Sequence, residues 1–219
     1  DALAKALQPR LKLGFDKKGF VLLGWAETGF VYIFSNSPIA SPSDMDGKKM
    51  WAWEGDPLVE AMYREFKIVP IPLPLTDVRT SLQTHLIDAV YTPPLGAIAL
   101  QWFTQTKYIT DLKLSDSTGG ILITKKAMQM ISPKDQEILK ETAEKYSKQL
   151  VERTRSENEK SYQTLLESGL TQVKVQDDER ERITSTCRKV WDSLVGKLYS
   201  RELLNEAISA VESHRSSSK

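Results

Sequence analysis

Between residues 20 and 124, short runs rich in β-branched and aromatic residues alternate with stretches of helical periodicity, and prolines punctuate the joins. Residues 21–25 and 30–34 read as buried strands. Residues 49–53 read as a strand with Trp51 and Trp53 on one face and Ala52 on the other. Asp56-Pro57 then opens a helix. Asp suits the N-cap, Pro suits the first helical position, and Leu58, Met62 and Phe66 form an apolar stripe. A helix over 76–86 carries Val78, Leu82 and Leu86 at helical spacing. A strand follows at 88–91, a helix at 95–103 and a strand at 120–124. This alternation predicts an α/β fold with a largely parallel sheet. Ligands of such sheets sit beyond the carboxyl ends of strands, so the loops after Trp25, Trp53 and Tyr91 are where a site is expected.

Beyond Lys125 the chain becomes polar and helical. Ser132-Pro133-Lys134-Asp135 is a helix start, with Ser as cap, Pro at the first position and an acid in the first turn. The helical pattern runs to about residue 168. Residues 152–160 are almost wholly polar, which marks either the solvated middle of one helix or a kink between two. A short strand at 171–175 and helices at 178–196 and 200–213 complete the pattern.

The chain of 219 residues carries 30 Lys+Arg against 29 Asp+Glu, for a net charge of +1. That balance gives no electrostatic footprint for nucleic acid or a membrane surface. No run reaches the roughly 18 apolar residues of a bilayer span. Cys187 is the single cysteine, so no intrachain disulfide, zinc knuckle or CxxC site can form. His85 and His214 are the two histidines, and His85 reads as a core or rim residue. No nucleophile–base arrangement, phosphate-binding glycine loop or dinucleotide fingerprint is present, so an enzyme is not expected and no cofactor or metal is called for.

The aromatic residues carry more information. Trp25, Trp51, Trp53 and Trp102 fall in the first half of the chain and only Trp191 lies later. Any one of them can be a core filler. As a set with Tyr91 they fit an aromatic cleft, and small-molecule cavities are mostly apolar with a few placed polar groups. Glu27, Glu54, Asp56 and Thr92 could supply those groups. Asp56 has an equally good reading as an N-cap, and Glu27 and Glu54 as solvated loop carboxylates.

Three stretches in fixed order carry a resemblance. The first runs from Pro38-Ile39 to Asp46-Gly47-Lys48-Lys49-Met50. The second is Ser81-Leu82-Gln83-Thr84-His85-Leu86-Ile87-Asp88-Ala89. The third spans 121–139, with Ser132-Pro133 inside it. Together they resemble the DctP-like periplasmic solute-binding proteins of tripartite ATP-independent (TRAP) transporters, over about residues 2–170. The resemblance implies a type II periplasmic-binding-protein fold of two lobes, here with the first lobe incomplete and with long C-terminal helices. Residues 1–34 would be the remainder of the first lobe and the hinge. Residues 35–124 would be the second lobe. Residues 125–219 would be the hinge return, a long bracing helix and the C-terminal helices. It further implies a periplasmic location, with the export signal outside this chain, TRAP membrane subunits as partners, and a monomer or homodimer.

The family's carboxylate-gripping arginines fall on Trp51 and Val31, and its usual asparagine falls on Thr92. An arginine holds a carboxylate through a bidentate fork that neither indole nor isopropyl can make. The expectation is therefore a receptor for an apolar or neutral small molecule, with Trp25, Trp51, Trp53, Tyr91 and Thr92 lining the cleft and Glu27 and Glu54 as secondary contacts. A cationic ligand is the next choice, since indole faces and carboxylates form a cation cage. An organic-acid receptor, and a sensor or scaffold of the same fold, are the alternatives.

Overall fold

The computed structural model describes residues 2–217. Helix α1 spans Ala2–Lys17. One long strand, β1 (Phe20–Ser35), stands where two were expected. Glu27 and Thr28 look like a break in the apolar pattern, but the ladder continues through them. Gly29 inside the strand takes φ +106°, a left-handed conformation open to glycine without a Cβ penalty.

Strand β2 (Lys49–Ala52), helix α2 (Pro57–Glu65), strand β3 (Val69–Pro72), helix α3 (Val78–Gln83) and strand β4 (Ala89–Thr92) then alternate. Asp56 caps α2 as its residue type predicts, its carboxylate accepting from Leu58 N at 2.9 Å and Val59 N at 3.3 Å. Helix α4 (Pro94–Ala99) is shorter than expected, because Gln101 turns left-handed at φ 56° and Trp102 falls in a 3-10 turn. Strand β5 (Tyr108–Asp111), which the sequence reading does not mark, and β6 (Ser115–Thr124) come next. Helix α5 (Lys125–Gln129) leads into α6 (Pro133–Glu167), then β7 (Thr171–Lys174), α7 (Asp177–Leu194) and α8 (Arg201–Ser217). Of the two readings of the polar stretch 152–160, one continuous helix is correct: α6 runs 35 residues.

The sheet has seven strands in the order β3-β2-β4-β1-β5-β7, with β6 pairing β1 off that path. The sheet is mixed, which corrects the expectation of a largely parallel one. Strand β2 is parallel to β3 and β4, and β5 is parallel to β7, but β1 is antiparallel to both β4 and β5. Helices join β2 to β3 and β3 to β4 and so fix their common direction. No helix of comparable length joins β1 to β2, so the alternation carries no information about the direction of β1.

By its contacts the chain groups into two compact units. The first takes residues 1–27, 118–153 and 195–219; the second takes 28–117 and 154–194. The segments 1–34, 35–124 and 125–219 divide the chain along its sequence, whereas these units divide it in space, and β1, β6 and α6 each pass from one unit to the other. The second unit holds the core, on both faces of its sheet. One face packs Tyr32, Phe34, Trp51, Val90 and Ile109 with Val78, Leu82 and Leu165. The other packs Ile33, Met50, Ala52 and Ala89 with Tyr63, Phe66 and Ile183. In the first unit Met128 is the one buried apolar side chain among the described residues.

Candidate functional site

An aromatic cluster forms at the carboxyl ends of β2 and β4 in the second unit. Trp51 sits at its centre. Its ring stacks on Tyr91 at 5.1 Å and meets Trp102 and Trp53 edge-on at 5.2 Å and 5.6 Å. Alternation along β2 puts Trp51 and Trp53 on one face, as expected, but their exposures differ sharply. Trp51 is 4% exposed and its indole N–H donates to the Leu73 carbonyl at 2.9 Å. Trp53, one step past the strand end, is 54% exposed.

Two tyrosines brace this arrangement. The Tyr63 hydroxyl donates to the Trp51 carbonyl at 2.5 Å. The Tyr91 hydroxyl accepts from the Trp53 backbone N–H at 3.3 Å. Burial pushes the phenol of Tyr63 well above its ordinary pKa and raises that of Tyr91 as well. Both therefore stay protonated at neutral pH and act as fixed dipoles. Their part in the cluster was not read from the sequence for Tyr63, which lies on α2 at a position where a tyrosine gives no signal beyond an apolar stripe.

The other expected residues distribute as follows. Glu54 is exposed in the turn after Trp53. Asp56 spends its carboxylate on the α2 cap. Thr92 is buried, with its hydroxyl close against the backbone of Gly96, where an added Cβ would strike it. Trp25 and Glu27 belong to the first unit. Trp25 packs against Phe15 with ring centroids at 6.5 Å, and its indole nitrogen is buried with no hydrogen-bond partner. Glu27 is a buried residue of β1, not of a loop. Within the second unit, then, the rings of Trp53 and Tyr91 meet that of Trp51, while Glu54 and Thr92 are the chain neighbours of Trp53 and Tyr91. Two surface grooves of about 400 and 410 Å³ lie elsewhere, one along α1 and the start of β1 and one along α7.

Among the described residues no group of three or more His, Cys, Asp or Glu could hold a metal ion, and no helix is long and apolar enough to cross a membrane. The positions where the resemblance would place arginines are apolar and buried, Val31 as well as Trp51.

The model of bacterial extracellular solute-binding protein family 7, DctP, matches residues 3–198. The chain belongs to this family. A solute-binding protein of Verminephrobacter eiseniae is 30% identical over 161 residues, covering 73% of this chain and 48% of that protein. The 2,3-diketo-L-gulonate-binding periplasmic protein YiaO of Escherichia coli is 28% identical over 145 residues, covering 64% of this chain and 44% of that protein. The fold matches that of a TRAP periplasmic solute-binding protein from Ralstonia eutropha with bound (S)-2-acetolactate, at a TM-score of 0.90 and 21% identity, over 97% of this chain and 69% of that one. The chain thus spans about half the length of the curated relatives it matches. The DctP family is one of solute carriers for transport, and its fold is the two-lobed fold of TRAP binding proteins. At position 51 of this chain the indole is buried and its N–H is satisfied by the Leu73 carbonyl.

Proposed function

We propose that this chain is the solute-holding part of a periplasmic receptor that serves TRAP membrane subunits, and that its solute is neutral or presents an apolar face. The observation that carries this reading is the contrast between Trp51 and Trp53. Trp51 fills the place of a charged grip and turns its only polar atom inward to Leu73. Trp53 is 54% exposed, with its ring edge-on to Trp51 and its backbone N–H held by the Tyr91 hydroxyl. A carboxylate brought here would lose water without gaining a bidentate partner from position 31 or 51. An apolar face laid on Trp53 gains burial at about 25 cal/mol per Å². The carrier releases its solute unchanged, so no catalytic group is required of it.

A second reading takes a cation as solute. It is favoured by Glu54, exposed in the turn directly after Trp53, since a carboxylate beside an open indole is the chemistry of a cation–π cage.

Titration calorimetry separates these readings. The probes are 2,3-diketo-L-gulonate and (S)-2-acetolactate, which the two relatives above bind, their neutral methyl esters, and choline. The expected result is tighter binding of an ester than of its acid, by roughly tenfold, the order of one unpaired buried polar group, and loss of that binding in Trp53→Ala. Tighter binding of the acids overturns the neutral reading. Binding of choline alone selects the second. If none binds and native mass spectrometry finds no co-purifying small molecule, the receptor reading fails.

A further inference from the structure

The middle of α6 looks like a solvated stretch, yet Asn158 within it is 8% exposed. Its carboxamide is engaged at both ends. The oxygen accepts from the Leu95 backbone N–H at 3.1 Å. The nitrogen donates to the Thr28 carbonyl at 2.9 Å and to the Thr154 carbonyl at 3.0 Å. A primary amide has one acceptor end and one two-donor end, and here each end faces its complement. Turning the amide over would set donor against donor and acceptor against acceptor, so the orientation is fixed.

Leu95 is where this matters. Pro93 and Pro94 open α4 and have no N–H, so the Leu95 N–H is the first free donor of that helix. Asn158 caps it from another segment of the chain. Between Leu95 and Tyr91 lie Thr92, Pro93 and Pro94. Two ring-locked φ angles and a Thr held against Gly96 make this a stiff spacer. The position of Leu95 is thereby carried to Tyr91, and through the stacked ring to Trp51.

The other end of the amide meets β1. Thr28 gives its carbonyl to Asn158, and its hydroxyl donates to the Ser117 carbonyl at 3.1 Å. The next residue, Gly29, approaches so closely that a β-carbon there would collide with the Asn158 amide nitrogen. Thr28, Ser117 and Thr154 are the residues at three of the four points where the chain enters or leaves the second unit.

We propose that Asn158 is a positioning residue: it ties the ligand wall at Tyr91 and Trp53 to the points where β1, β6 and α6 enter the second unit. This rests on the reading of that wall given above. The amide senses the path of β1 at Thr28 and passes any displacement to the start of α4. A hydrogen-bonded side chain suits this role better than apolar packing, because its geometry is directional.

Hydrogen exchange on the full chain, without ligand, tests it in two variants. Asn158→Ala removes both ends of the amide. Leu95 is expected to exchange at least about tenfold faster, with near-ultraviolet circular dichroism from the Trp51–Tyr91 pair reduced and far-ultraviolet signal kept. Asn158→Asp keeps an acceptor for Leu95 and removes the donors. Here Leu95 is expected to stay protected while amides 28–31 exchange faster. This second arm stands if the alanine variant is too unstable to study. The proposal is overturned if Leu95 exchange is unchanged in Asn158→Ala, or if amides 28–31 and Leu95 change together in Asn158→Asp. Acceleration of all second-unit amides alike, which a purely structural role would give, also overturns it. Since no ligand enters the measurement, failure of every solute probe would overturn the receptor reading without altering this result.

Discussion

Trp51 and Leu73 are joined by a 2.9 Å hydrogen bond from indole to carbonyl, which satisfies the one polar atom of a tryptophan packed in the core. With Trp51 committed to the core, Trp53 is left to the surface. Truncation should separate them. Trp51→Ala is expected to cost about 3–5 kcal/mol of stability, the range for a buried aromatic. Trp53→Ala is expected to stay within about 1 kcal/mol of the parent. Urea unfolding midpoints measure both. Equal losses would mean that Trp53 is a structural residue.

Ser147 offers a case of the opposite sign. Its hydroxyl is buried on α6 without a hydrogen-bond partner, pressed against Gly24 of β1. Removing an unsatisfied hydroxyl relieves a desolvation cost, so Ser147→Ala should be neutral or stabilising by up to about 1 kcal/mol. Gly24→Ala places a methyl group onto that side chain and should cost about 1–3 kcal/mol. Thermal melts of the two variants should shift in opposite directions or, for Ser147→Ala, not at all.

Alkaline pH should unfold the chain through its tyrosines. Tyr32 is pushed up to about 12, first by burial and then by Tyr162, Glu159 and Asp111 nearby. Tyr63, Tyr91 and Tyr162 are raised too, each chiefly by burial. In the unfolded chain these phenols ionise near about pH 10. The folded state then holds more protons than the unfolded one, and stability falls as pH rises. Their contribution is complete below the unfolded value and is lost through the folded one. Phenolate absorbance should therefore appear cooperatively with loss of helix between about pH 10 and 12. Phenolate appearing well before any loss of helix would show that these rings are open to solvent.

Cys187 lies on α7 against the core face that contains Ile183, and burial raises its thiol pKa. The thiolate is the reactive form, so native protein should react with a disulfide reagent at least about tenfold more slowly than unfolded protein at neutral pH. Equal rates would place the thiol at the surface.

Much of this architecture was legible wherever the cause is local. Asp56-Pro57 and Ser132-Pro133 start helices because capping needs only a nearby acceptor and a residue without an N–H. The facing of Trp51 and Trp53 follows from the two-residue period of a strand. What was hidden depends on partners distant in the chain. The direction of β1 is set by pairing with β4 and β5, not by a neighbouring helix. Which of the two tryptophans is buried depends on core partners such as Tyr91 and Trp102 and on the Leu73 carbonyl, all distant in sequence. Asn158 is one polar residue among many in its stretch, and nothing in the sequence marks the three carbonyl and amide groups that meet it. Residues 26–29 read as a gap between two strands, yet one strand runs through them, and the missing side chain of Gly29 is what lets it pass Asn158 on the helix.

The closeness of Gly29 and Asn158 also constrains how this sequence can drift. A β-carbon at 29 collides with the amide, so a side chain there requires a smaller residue at 158. Among descendants of this chain, a side chain at 29 should therefore occur only in company with a smaller residue at 158, whereas 158 is free to shrink while 29 stays glycine.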